Sequence, residues 1–149
     1  MSEEIFKISK DVERAKALLE MSKERFGSIK IFPKNLVYRI AEEYYEIIKE
    51  LLTAIMYSDG YKTLSHKMLI TYLADNYSLL KDSERFLMDS LRKLRNDIVY
   101  YGKKISQEFL ENNQKEIDKI INKLIKFVEK KLKWAKKTNL KNSAGKIKF

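Results

Sequence analysis

The sequence predicts an all-α fold, an antiparallel up-and-down bundle of about five helices with a long C-terminal helix. Three observations carry that expectation. Apolar residues recur three and four positions apart through most of the chain, and no period-two alternation marks a strand. Only four glycines and one proline interrupt 149 residues, which leaves long elements and few breaks. Hydrophobic residues make up 44%, enough for a sizeable core in one domain, and the absence of cysteine removes any disulfide framework or thiolate metal site.

The first helix is expected over 9–26, where Val12, Ala15, Leu19, Ser22 and Phe26 share a face and Gly27 follows as a terminator. An apolar connector, Ile29 to Phe32, leads to Pro33, which suits a helical first turn because its missing N–H is not needed there. The second helix then runs to about 58. Val37, Ile40, Ala41, Tyr44, Ile47, Ile48, Leu51 and Ile55 give it the strongest periodic face in the chain, and Asp59-Gly60 closes it. Thr63 is the expected cap of a short third helix through Met68, Leu69, Ile70, Tyr72 and Leu73, broken at Asn76-Tyr77-Ser78. Asp82 or Ser83 caps the fourth, which stops at Gly102. Ser106 caps the fifth, whose stripe runs from Leu110 through Ile117, Ile120, Ile121, Leu124 and Val128 to Leu132. Carried on to Trp134, that helix is ~40 Å long at ~1.5 Å per residue, longer than a compact bundle, so its end projects or packs on a partner.

The net charge is +10, yet residues 130–149 hold eight lysines and no acids; without those eight the rest carries only +2. The basic character is therefore a tail property, suited to phosphate contact without sequence preference or simply to solubility. The expected organisation is a single helical domain over 1–137 and a flexible basic tail over 138–149. No basic n-region or long apolar run suggests a signal peptide or a membrane span, so a cytoplasmic protein without membrane contact is expected.

The most informative stretch is the end of the fourth helix. Leu87, Leu91, Leu94, Ile98 and Tyr101 form its apolar stripe, and Arg95 falls on the flank of that stripe, between Leu91 and Val99 and near Met88. An unpaired guanidinium is costly to bury, so Arg95 is either paired or shown to a ligand. Asn96 follows at once and Tyr100 lies one turn beyond. Arg92, Arg95, Asn96 and Tyr100 then make one polar patch, with Lys103 just past it; alternatively Arg95 pairs with an acid and Asn96 caps or bridges helices.

Other constellations are weaker. Glu42, Glu43, Glu46 and Glu50 lie along the second helix, but no matching carboxylate or Glu-x-x-His pattern faces them, so they read as a solvated stripe with one acid answering Arg95, and no metal is expected. His66, the only histidine, is either packed near the start of its helix or an imidazole base. The nine tyrosines read mainly as core-edge residues. No phosphate loop, nucleophile elbow, zinc spacing or helix-turn-helix pattern appears, and no cofactor is implied.

Two segments resemble the HEPN family, the higher-eukaryote and prokaryote nucleotide-binding domains, in its small archaeal and bacterial form. One is Glu43-Tyr44-Tyr45 running through Leu51-Leu52 to Asp59-Gly60-Tyr61-Lys62-Thr63-Leu64-Ser65-His66; the other is Leu91 to Gly102, with Arg95-Asn96 in the signature place. The resemblance spans roughly 8–130. It implies a helical bundle that forms a homodimer with Arg-bearing helices facing each other. Many members are metal-independent endoribonucleases, often toxins encoded beside a nucleotidyltransferase antitoxin. Their signature arginine is taken to stabilise the phosphate, and a histidine four to six residues later assists proton transfer at the 2′-hydroxyl. Arg95 and Asn96 match that signature, whereas the histidine window holds Tyr100, Tyr101 and Gly102. A tyrosine of pKa ~10 is a poor base at neutral pH. The resemblance therefore implies a nucleotide- or RNA-binding or regulatory component with a nucleotidyltransferase-type partner, binding through Arg92, Arg95 and Lys103. The alternatives are an active ribonuclease using Arg95 and Asn96 with Tyr100 or His66, and a structural oligomerisation module.

Overall fold

The structure, a computed structural model, describes residues 4–104 and 106–147, with side chains as far as 137. Among the described residues five α-helices form an all-α bundle: α1 (Val12–Ser28), α2 (Val37–Asp59), α3 (His66–Asn76), α4 (Asp82–Tyr101) and α5 (Gln107–Ile147). The flexible tail expected over 138–149 falls where side chains lie outside the described residues, although the α5 backbone continues to Ile147.

Helix α2 is the central element because apolar residues surround most of its girth. Ile47, Ile48, Leu51, Ala54 and Ile55 are all buried, packed against Ala15 and Leu19 of α1, Leu69 and Leu73 of α3, Met88 and Leu91 of α4, and Ile117, Ile121 and Leu124 of α5. Helix α1 runs against α2, joined to it by Asp11 N–H donating to Tyr57 O (2.9 Å) at one end and Arg25 Nη1 to Glu43 Oε1 (2.7 Å) at the other. Helix α5 runs alongside α2 in the same sense, with Tyr44 OH donating to Asp118 (2.8 Å) and Lys131 Nζ to Asp59 (2.6 Å).

The step from α2 to α3 uses a ribbon too short for the sequence pattern to show. Strand β1 (Ile5–Lys7) pairs antiparallel with β2 (Tyr61–Thr63), Phe6 opposite Lys62. Strand β2 carries the chain back along α2, so that α3 starts beside Tyr45 and climbs until Tyr72 OH donates to Asp59 (2.7 Å). Helix α4 then returns and brings Arg95 to the level of Glu46.

Both C-terminal glycines behave as the sequence predicts: Gly60 (φ 89°) and Gly102 (φ 61°) end α2 and α4 in the left-handed conformation. Ser106 caps α5 through Phe109 N–H (3.2 Å). Other boundaries differ. Helix α1 passes Gly27, which has open space around it and no positive φ, and ends in a 3-10 turn at Ile29–Ile31. Pro33 does not begin α2; its carbonyl accepts Leu36 N–H (3.0 Å) in a turn ahead of the helix. Ser65, not Thr63, caps α3, accepting Met68 N–H (3.2 Å); Thr63 is the last residue of β2, where its hydroxyl donates to Glu4 O (2.9 Å) and accepts Ser65 N–H (3.1 Å), one position short of the helix's free N–H groups. Neither Asp82 nor Ser83 caps α4. Glu84 reaches back to Lys81 N–H (3.0 Å) and also accepts from Lys123 of α5 (2.8 Å), so a buried carboxylate locks the start of α4 to α5. Burial works against its charge, but these partners prevail and hold the carboxyl below its ordinary range.

Candidate functional site

Around Arg95 the structure gathers side chains from three helices. Arg95 Nη2 stands 3.8 Å from Glu46 Oε1, an ion pair too long for a hydrogen bond. Its guanidinium carbon lies 5.9 Å from the centroid of the buried Tyr45 ring, within cation–π range. Glu46 is held more firmly by its own helix neighbour, Lys49 Nζ to Oε2 at 2.9 Å. One turn before Arg95, Arg92 Nε bonds Asp89 Oδ1 (2.9 Å), and Lys93 lies 3.4 Å from the other oxygen. Burial opposes the Asp89 charge, yet Arg92 and Lys93 outweigh it and hold that carboxyl low.

His66 joins this cluster from the first turn of α3. Its ring packs on Tyr45, centroids 5.8 Å apart at 45°. Tyr45 is thus the shared floor on which both His66 and Arg95 rest. Burial pushes the imidazole pKa down, and Lys49, Arg95 and Arg92 push it further while Glu46 opposes them. Each of those cations disfavours a second positive charge, so the neutral ring is the stable form. Burial likewise pushes the Tyr45 phenol up, which keeps it protonated.

The polar patch expected along α4 is therefore divided. Arg95 reaches Glu46 and Tyr45 of α2, and Tyr45 and His66 both feel the charges of Arg92 and Arg95. Asn96 sits half-buried beside them, whereas Tyr100 is 69% exposed. Among the described residues neither Asn96 nor Tyr100 makes a side-chain hydrogen bond. Lys103 follows the left-handed Gly102 and is exposed. The apolar stripe fades in the same direction: Leu91 is buried, Leu94 and Ile98 are partly covered, and Tyr101 stands in solvent at 74%. The Arg92 and Arg95 side chains keep only 15% and 19% of their surface exposed, so the cluster is a half-covered face on the side of the bundle.

The acids divide as well. Glu43 and Glu50 do not face Arg95; both answer Arg25 of α1, at 2.7 Å and 3.0 Å. The Arg25 Nε–H does not point at Glu50 Oε1 despite that distance, and neither atom has a hydrogen-bond partner. Burial is the dominant influence on Glu50 and raises its pKa against the pull of Arg25. Among the described residues no group of three or more His, Cys, Asp or Glu side chains is placed to hold a metal ion, and no helix is long and apolar enough to cross a membrane.

Sequence reasoning missed Tyr45, Lys49 and Asp89 as members of the cluster. The signal for the last was present, since Asp89 sits three residues before Arg92 on one helix. Tyr45 gave none, because its role depends on how α3 and α4 cross α2. The chain matches no protein-family model and no curated protein.

Proposed function

We propose that the protein is a HEPN-like helical module of the cytoplasm that binds phosphate groups of RNA or a nucleotide through the Arg92–Arg95 face of α4. It works as a regulatory component, as a homodimer and with a nucleotidyltransferase-type partner. The observation that carries this reading is the looseness of Arg95: at 3.8 Å from a carboxylate already held by Lys49, its guanidinium can turn to a phosphate without stranding Glu46. Four cations, Lys49, Arg92, Lys93 and Arg95, stand against two carboxylates, Glu46 and Asp89, so the face attracts anions. Arginine adds a planar fork that matches phosphate oxygens. The exposed Val99, Tyr100 and Tyr101 beyond it are suited to a second copy of α4.

A second reading, metal-independent RNA cleavage, is favoured by His66. A neutral imidazole beside Arg95 can accept the 2′-hydroxyl proton while the guanidinium holds the phosphate oxygens, which restores a histidine that the α4 sequence lacks. One experiment separates the readings: binding and cleavage of a labelled mixed-sequence RNA in EDTA by wild type, Arg95→Ala and His66→Gln. Binding without cleavage, about tenfold weaker in Arg95→Ala and little changed in His66→Gln, is the expected result. Cleavage that drops about 10²-fold or more in both variants identifies the ribonuclease. Equal RNA affinity of Arg95→Ala and wild type leaves Arg95 as an ion pair of an oligomerisation module.

A further inference from the structure

About 20 Å along α2 from Glu46, at the level of Asp59, the bundle opens into a cavity of about 510 Å³. That size lies within the range of about 300–1,000 Å³ typical of small-molecule sites. One face of α5 supplies Phe127, Lys130, Lys131 and Trp134, the end of α2 supplies Ser58 and Asp59, and Lys10 enters from the segment before α1. Backbone hydrogen bonds on either side, Ile8 N–H to Gly60 O and Asp11 N–H to Tyr57 O, both 2.9 Å, hold the Lys10 segment against α2.

The charges of this cavity do not cancel. Among the described residues Asp59 is the only carboxylate lining it, and both of its oxygens are engaged: Oδ1 with Lys131 (2.6 Å), Oδ2 with the hydroxyls of Tyr72 (2.7 Å) and Tyr77 (2.6 Å). Lys131 is fixed in turn, donating to Tyr77 OH at 2.8 Å and lying over the Tyr77 ring at 4.9 Å. Lys10 and Lys130 thus add two ammonium groups that Asp59 does not answer. Trp134, the single tryptophan of the chain, stands at the mouth with 67% of its surface exposed. It lies one turn from Lys130 on the same face of α5, so a flat indole and an ammonium flank one opening. An exposed indole is a stacking surface for another π system, and lysines beside it select a negative charge.

We propose that this cavity binds a small planar aromatic anion, its ring stacked on Trp134 and its carboxylate, sulfonate or phosphate held by Lys10 and Lys130. The site is separate from the Arg95 face and does not depend on the function proposed for that face. Naphthalene-2-sulfonate is a suitable probe, followed by calorimetry and by Trp134 emission, which reports from this one position. Saturable one-to-one binding is expected, with cyclohexanesulfonate and naphthalene-2-methanol each about tenfold weaker because one lacks the aromatic π face and the other the charge. A Lys10→Ala/Lys130→Ala double variant should bind about tenfold more weakly, Trp134→Phe should lose affinity by calorimetry, and Arg95→Ala should match wild type. All these positions are on the surface or the cavity rim, and unchanged far-ultraviolet circular dichroism checks that each variant folds. Absence of saturable binding, equal affinity for cyclohexanesulfonate, or an affinity indifferent to the two lysines overturns the proposal, as does an emission change that tracks protein concentration alone and so marks a second copy in the opening.

Discussion

His66 is the only histidine in the chain, and its environment can be read one neighbour at a time. Its ring lies on Tyr45, and burial together with Lys49, Arg95 and Arg92 lowers its pKa below the ordinary value of about 6.5. The unfolded chain therefore takes the proton first as pH falls. The contribution of His66 to stability is complete above that ordinary value, declines as pH drops through it toward the lower folded pKa, and is constant below. Removing the Arg95 charge should relieve part of the shift. In Arg95→Ala the His66 resonances, followed by NMR from pH 4 to 8, should titrate at higher pH than in wild type. An unmoved titration would mean that the two side chains do not face each other in solution. Residue identity alone made Arg95 conspicuous, because a guanidinium on the flank of an apolar stripe needs an explanation. It did not reveal which acid answers it. Glu43, Glu46 and Glu50 share a helix flank at spacings of three and four, and only the positions of α1 and α4 assign two to Arg25 and one to Arg95.

At the scale of elements, the helix ends held by glycine were the most legible. Gly60 combines a left-handed backbone with close packing, since a Cβ there would meet Ile8 O at 3.1 Å and Lys10 Cγ at 3.3 Å. Gly60→Ala should therefore destabilise the protein by more than about 1 kcal/mol. Because the Gly60 carbonyl also anchors Ile8, faster amide exchange in β1 should accompany the loss; thermal unfolding and hydrogen exchange would measure both. Helix starts were less legible. A hydroxyl or carboxylate caps whichever N–H the turn brings within reach, and at α3 the end of the ribbon puts Thr63 Oγ1 on Ser65 N–H and Ser65 Oγ on Met68 N–H, so Ser65 is the cap. The ribbon leaves no mark in the sequence because strands of three residues have no room for a period-two pattern.

For the whole molecule, the decisive feature is the position of α2 among the other four helices. Leu51 is fully buried at its centre, so Leu51→Ala should lower stability by about 2–5 kcal/mol with little change in helical signal, as denaturant unfolding would show. That central role was written in the sequence: the long apolar face of α2 had to be covered, and the amphipathic stripes of the other helices were there to cover it. Local chemistry thus determined the helical class, the number of helices, the glycine stops at 60 and 102 and the conspicuous position of Arg95. The tertiary structure alone decided that Tyr45 carries both His66 and Arg95, that Arg25 takes Glu43 and Glu50, and that Lys10 and Trp134 share one cavity. Each of these pairings joins residues far apart in the chain. Helical periodicity specifies which face a side chain occupies, but only the packing of one helix on another specifies what that face meets.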